Sequence, residues 1–393
     1  MRNIRKRILF LIPGISMPGG QELENIGFAN FLNSDPSFEV EILNFFCLLK
    51  SAEFEELPKV AWSLVKLKKV LSSKQFLKIY VKSGFAFKQS LAYCFRDFPH
   101  LFDSWLSSIL KNFDLCFAGI SPRILLPHVL DLCQKANVKF VYHESSIFHP
   151  KNNLFYQQLE KNGFFLISAK EKEDYLLKNY PDSSYYIIKQ WIYIGQSDFL
   201  SISPVKNEVV KFGGLGRIDV GKNFKVILEA LIILKRKAIK VEFSLYGDGP
   251  ELTNLKKISK DNGLDNIVSF KGGFAFDKRD ICFKEIDVFI MTSSFEGGPL
   301  VVLEAMASRK PIISTRVGDV PNRVFEDVNG YILPVHCSAS DLAIEMEKYI
   351  FDRELVSSHG RNSREIFLRD FERSKSELLF KKSIESILEK DNK

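Results

Sequence analysis

Short apolar runs alternate with segments of helical spacing along this chain, and the alternation occurs twice. RILFLIPG, FEVEILNFF, FDLCFAGI, KFVYHES, GFFLISAK and SYYIIKQWI are strand-like, while GQELENIGFANFLN, RILLPHVLDLCQKA and EKEDYLLKNY between them carry helical spacing. Strand, helix and strand in succession mean a parallel sheet covered by helices on both faces. Residues 195–208, GQSDFLSISPVKNE, are polar and without periodicity, and read as an interdomain linker. The alternation restarts at VVKFGGLG and continues through VEFSLYGDG, NIVSFKGG, DVFIMTS and PIISTRVG, separated by helical segments such as NFKVILEALIILKRK. After NGYILP only helices are expected, from Ser338 to about Lys390. The α/β reading is two doubly wound domains in tandem with a C-terminal helical tail, bounded at 1–200, 201–370 and 371–393. At roughly 100–200 residues per domain, a 393-residue chain accommodates this division.

Charge and cysteine usage narrow the setting. Lys and Arg outnumber Asp and Glu by 55 to 48, a formal net charge of +7. That balance fits an anionic ligand, a membrane surface or nucleic acid, and selects none of them. The six cysteines are scattered through apolar segments with no Cys-x-x-Cys pair, so they read as reduced core residues of a cytoplasmic protein. The basic start MRNIRKR followed by an apolar run mimics a signal peptide. Yet the run from Ile8 to Ile12 stops at Pro13-Gly14, too short for an export signal. No stretch approaches the roughly 18 apolar residues of a spanning helix.

In open parallel sheets, ligands bind at the carboxyl ends of strands, where loops meet helix N-termini. The second half carries three polar or glycine-rich segments at such ends. In GGLGRIDVGKN, a strand runs into Gly213, Gly214 and Gly216, with Arg217 and Lys222 before the next helix. Two cations there can neutralise a diphosphate, Arg by a planar fork and Lys as a point charge. Taken alone, such a pair also reads as a solvated loop. YGDGPE is a good turn on any reading. In SSFEGGPLVVLEA, Pro299 suits a first helical turn, and the amides of Leu300, Val301 and Val302 would open onto an anion site. Gly297 and Gly298 allow close approach to the backbone. Glu296 before the helix and Glu304 inside it can each accept two hydrogen bonds, which suits sugar hydroxyls. Beside the Arg/Lys loop, at corresponding strand ends of one sheet, this pair reads as a binding site.

GRIDVGKN, LYGDGPE, VSFKGG, SSFEGGPLVVLEAMASRKPIIST and VGDVPNRVFEDVNGYILP, in this order and spacing from Val209 to Pro334, resemble glycosyltransferase family 4, the retaining nucleotide-sugar enzymes of GT-B architecture. The first half is similar more loosely, through PGISMPGGQELENIGFANFL and KFVYHE. The resemblance implies two Rossmann-like domains facing a cleft. The acceptor would bind in 1–200 and the nucleotide sugar in 201–370, with helix 371–393 packing back toward the N-terminal domain. It implies that Arg217 and Lys222 bind the donor diphosphate and Glu304 the ribose. Glu296 would contact the transferred sugar, with amides from Gly297 through Gly298 and Leu300 to Val301 closing around it. Gly20 would border the phosphates and His143 the sugar. Two departures stand out: KQWIYIGQSDF replaces the Asn-Gly-Val-Asp often found near the linker, and Pro299 follows FEGG.

The implied reaction is transfer from a UDP- or GDP-sugar with retention. No carboxylate pair is obviously placed for two-step displacement, so the departing diphosphate itself would help deprotonate the acceptor. No cofactor and no metal is required on this reading, and no Asp-x-Asp motif stands in the chain to hold one. The implied acceptor is a saccharide or lipid-linked saccharide of cell-envelope polysaccharide synthesis. Residues 59–96 hold eight Lys, one Arg and no acid, interleaved with Trp62, Leu64, Leu67, Val70 and Phe76. That pattern suits an anionic membrane surface at the cytoplasmic face, and equally a solvated helical face over an apolar core. Two other classes stay open: a sugar-nucleotide epimerase of the same architecture, and a non-catalytic binding protein. Nucleic acid is disfavoured, because no recognised binding module accompanies the basic stretch.

Overall fold

A computed structural model describes residues 5–12, 20–44, 98–119, 125–144, 153–168, 170–193, 195–203, 208–273 and 278–390. The basic segment 59–96, His149, Cys47, Cys94 and the loop preceding Gly20 lie outside them. The chain divides into two compact units, 1–188 with 377–393, and 189–376.

In the first unit, strands β1 (Lys6–Ile12), β2 (Phe38–Asn44), β3 (Leu115–Ala118), β4 (Lys139–Glu144), β5 (Phe164–Ile167) and β6 (Ser184–Ile187) form one sheet in the order β2-β1-β3-β4-β5-β6. Every pairing is parallel. Helices α1 (Gly20–Ser34), α2 (Asp103–Leu110), α3 (Leu125–Lys135), α4 (Leu154–Asn162) and α5 (Lys170–Asn179) stand between the strands in the chain. The central strands β1 and β3 are apolar along their middles because both faces are covered there, as Ile8, Leu9, Phe10, Leu115, Cys116 and Phe117 show by complete burial. Phe10 stacks on Phe117 with ring centroids 4.5 Å apart.

The second unit repeats the plan. Helix α6 (Gln196–Ser201) opens it, followed by β7 (Lys211–Leu215), α7 (Phe224–Arg236), β8 (Glu242–Tyr246), α8 (Leu252–Asp261), β9 (Val268–Gly272), α9 (Arg279–Glu285), β10 (Val288–Met291), α10 (Leu300–Ala307), β11 (Ile312–Thr315) and β12 (Gly330–Leu333). Its sheet runs β12-β11-β10-β7-β8-β9, again all parallel. Helices α11 (Ala339–Phe351), α12 (Arg353–Asp370) and α13 (Arg373–Glu389) complete the chain. From Glu377 onward α13 belongs to the first unit, where Phe380 stacks on Phe28 at 4.4 Å and Lys381 Nζ lies 2.5 Å from Asp35 Oδ2. Lys139 Nζ caps the end of that helix through the Ile387 and Leu388 carbonyls.

One segment differs from its sequence reading. Residues 195–208 include α6, whose Phe199 is buried against Phe283 at 5.8 Å. Arg364, on α12, donates to the Phe199, Leu200 and Ile202 carbonyls and so fixes the end of α6. The segment is polar because most of its side chains face water, but one aromatic anchor and one buried arginine suffice to order it. The change of unit falls instead at Ile188/Lys189.

Candidate functional site

In the second sheet the strand order reverses between β7 and β10, which are hydrogen-bonded neighbours with Val288 opposite Phe212. Their carboxyl-end loops therefore emerge side by side at the switch point. The β7 loop makes a 3-10 turn over Val220–Lys222, with the Asp219 side chain accepting from the Lys222 amide. Asn223 takes the left-handed conformation and starts α7. The β10 loop is stitched to it. Ser294 N–H donates to the Gly221 carbonyl, and Thr292 Oγ1 to those of Lys222 and Asn223.

Lys222 Nζ then lies 2.5 Å from Glu296 Oε1, and Ser293 Oγ donates to the same oxygen at 2.7 Å. A cation and a carboxylate 74 residues apart in sequence thus meet directly. Arg217 shares the loop but not the pair: its side chain is 75% exposed and its Nε stands 3.6 Å from Asp219 Oδ2.

Beyond Glu296 the glycines turn the chain into α10. Pro299 occupies the N-cap, and its carbonyl accepts from the Val302 amide. This corrects the expectation of three open amides: Val302 is engaged, which leaves Leu300 and Val301 as the outward donors of the first turn. The loop is held from behind. Asp319 N–H donates to the Gly297 carbonyl, and a β-carbon on Gly298 would collide with the Gln190 side chain. Arg323, fully buried, donates through Nη1 to the Pro299 carbonyl and through Nη2 to Asp319 Oδ2 and Gln190 Oε1.

Glu304 does not join Glu296. It lies buried on α10, with Oε1 2.7 Å from Arg279 Nη2 at the start of α9. Its Oε2 has no hydrogen-bond partner among the described residues. Burial pushes the Glu304 carboxyl up and the Arg279 guanidinium down, and their mutual attraction opposes both shifts. Nearby, burial pushes the Cys282 thiol up to about 12.

In the first unit, Gly20 opens α1. His143 sits near the carboxyl end of β4, fully buried, its ring edge-on to Phe28 at 5.2 Å. Glu24 Oε1 is 3.7 Å from Nε2, beyond hydrogen-bond range. Glu24 would favour a charged ring, but burial outweighs it; together with the Lys172 charge it lowers the imidazole to about 3. His143 is thus a neutral imidazole near pH 7. His128 pairs with Asp103 at 2.6 Å.

Arg279, Asp319, Arg323, Gln190 and Ser293 escaped the sequence reading. Arg323 leaves one trace, a cation between the apolar residues Val320 and Val324. The others look like ordinary polar loop or helix residues.

Residues 200–366 match the family model described as glycosyl transferases group 1. The match lies wholly within the second unit and covers less than half of the chain. The poly(ribitol-phosphate) alpha-N-acetylglucosaminyltransferase of Staphylococcus aureus (strain COL) is 26% identical over 179 residues, which cover 45% of this chain and 34% of that protein. The lipopolysaccharide core biosynthesis glycosyltransferase LpsE of Rhizobium meliloti is 31% identical over 160 residues, 40% of this chain and 45% of that one. The matched region is thus about a third to a half of these relatives' length. Among solved structures, Anabaena HepE in complex with UDP superposes with a TM-score of 0.73 at 17% identity, covering 97% of this chain and 100% of that one. The lipopolysaccharide outer core galactosyltransferase WaaB superposes at 0.70 and 18% identity, covering 97% and 99%. These similarities establish the GT-B fold: two parallel six-stranded sheets, each with its helices.

Proposed function

We propose that this protein is a glycosyltransferase of the group 1 type, which transfers a sugar from a nucleotide diphosphate, with retention, to a saccharide or lipid-linked saccharide of cell-envelope polysaccharide synthesis such as lipopolysaccharide, O-antigen or capsule. The observation that carries the reading is the meeting of Lys222 and Glu296 at the switch point of the second sheet, beside the amides of Leu300 and Val301. A cation and outward amides suit a diphosphate, and a carboxylate held by Ser293 suits a sugar hydroxyl. Arg217, exposed on the same loop, adds a second cation for the leaving group, and Glu304 takes the ribose. On this reading the chain's own cations neutralise the leaving diphosphate, so transfer should persist in a chelator. Gly20 and His143 would serve from the first unit, His143 as a neutral imidazole that donates one ring N–H. Assays with UDP- and GDP-sugars test the proposal: Arg217→Ala and Lys222→Ala should each lower turnover by roughly a hundredfold. Folded variants with wild-type rates would remove the diphosphate assignment.

The basic segment 59–96 extends the reading to a peripheral site on anionic lipid at the cytoplasmic face, at about 1 kcal/mol per engaged lysine. Replacing Lys66, Lys68, Lys69 and Lys74 by Gln should release the protein from anionic vesicles, and salt should do the same. Vesicle binding indifferent to both would leave these lysines a solvated face.

A further inference from the structure

The Glu296–Pro299 loop presents its carbonyls to one buried cluster. Gly297 C=O accepts from the Asp319 amide, and Pro299 C=O from Arg323 Nη1 at 2.9 Å. Gly318, at φ +49°, lies so close that any β-carbon there would strike the Glu296 and Gly297 carbonyl oxygens. In a trans peptide the carbonyl and the following N–H point opposite ways. Turning the Gly297 and Pro299 carbonyls inward therefore turns the Gly298 and Leu300 amides outward. Arg323 is the hub of the cluster: one planar guanidinium reaches Pro299, Asp319 and Gln190 together, and Gln190 in turn packs against Gly298.

We infer that Arg323 is a positioning residue for the anion-binding amides: it orients the Gly298 and Leu300 N–H groups without touching the ligand. The inference rests on the proposed diphosphate site and names a residue outside it. A guanidinium is needed because three acceptors in different directions require a rigid fork, which an ammonium cannot supply. Loss of the fork frees the peptide planes to rotate, so the amides no longer converge on one phosphate. In the proposed site the ribose falls to Glu304, on α10 beyond this loop, so its contact does not depend on the orientation of these amides.

The test is the affinity of UDP relative to UMP, and of GDP relative to GMP, by calorimetry on the full chain. Arg323→Lys should lower the diphosphate affinity by roughly tenfold, the scale of a lost charge-assisted contact set, while the monophosphate affinity stays within about twofold. Arg323→Met should do so more strongly. Should the buried site refuse both, Gln190→Ala removes one acceptor and no charge, and should move the same ratio less. An unchanged ratio in a folded variant overturns the positioning role, as does an equal loss for both nucleotides, which marks general damage. Wild-type protein with no preference for the diphosphate would sink the donor-site reading itself and this inference with it.

Discussion

At the residue scale, Lys222 and Glu296 satisfy each other at 2.5 Å, so neither is a simple solvated loop charge. Their joint role predicts non-additivity: the fraction of wild-type transfer left in Lys222→Ala/Glu296→Ala should exceed the product of the fractions left in the two single variants, because the first substitution already breaks the pair. Glu304 belongs to a different environment, and the two glutamates should separate kinetically. Glu304→Ala should weaken nucleotide binding by about 1.5–3 kcal/mol, whereas Glu296→Ala should lower kcat with nucleotide affinity near wild type. Equal losses of nucleotide affinity would contradict the division. His143 offers a test independent of activity. Its imidazole titrates near 3 when folded but near 6.5 when unfolded, so the unfolded chain binds the extra proton between those values. Stability is therefore full above about pH 6.5 and falls as pH drops toward 3, by up to about 1.4 kcal/mol per pH unit. Urea unfolding from pH 7.5 to 5 should show this slope in the wild type and a shallower one in His143→Gln. Parallel curves would mean that the ring takes up its proton equally readily in the folded and unfolded chain.

At the element scale, α10 shows what sequence periodicity conceals. Leu300 and every residue from Val302 to Ala307 are buried, Glu304 included, so no solvated stripe marks the helix. SSFEGGPLVVLEA announces the turn and the helix start, but not that its second glutamate faces an arginine from α9. The cap of α11 is by contrast local, at the Ser338 where the sequence starts the C-terminal helices. Ser338 Oγ accepts from the Asp341 amide at 3.1 Å, while Asp341 Oδ2 accepts from the Ser338 amide at 2.8 Å. This reciprocal box predicts that Ser338→Ala costs about 1 kcal/mol of stability, read by urea unfolding, with the nucleotide site untouched. α6 carries the opposite lesson. Its one buried side chain is Phe199, and periodicity cannot register one anchor.

At the scale of the whole molecule, two units with separate cores mean two potential unfolding transitions. A nucleoside diphosphate bound to the second should raise that unit's transition, by about 2.7 kcal/mol at a hundredfold excess over Kd, and scanning calorimetry would resolve it. A shift confined to the other transition would contradict the site assignment. The sequence alone determined the class of each unit, because a strand–helix alternation with apolar central strands has one stable arrangement, a covered parallel sheet. It also pointed to the loops, since glycines and cations at strand ends are readable in one dimension. Tertiary structure alone decided which residues meet. Lys222 reaches Glu296 because β7 and β10 are neighbours at the reversal of strand order. Glu304 is paired because the first turn of α9 sets Arg279 against α10. The Glu296–Pro299 loop is oriented by a guanidinium buried between segments that begin at Gln190 and end at Arg323. Such contacts depend on register and burial between distant segments, and neither quantity is a property of any local run of residues.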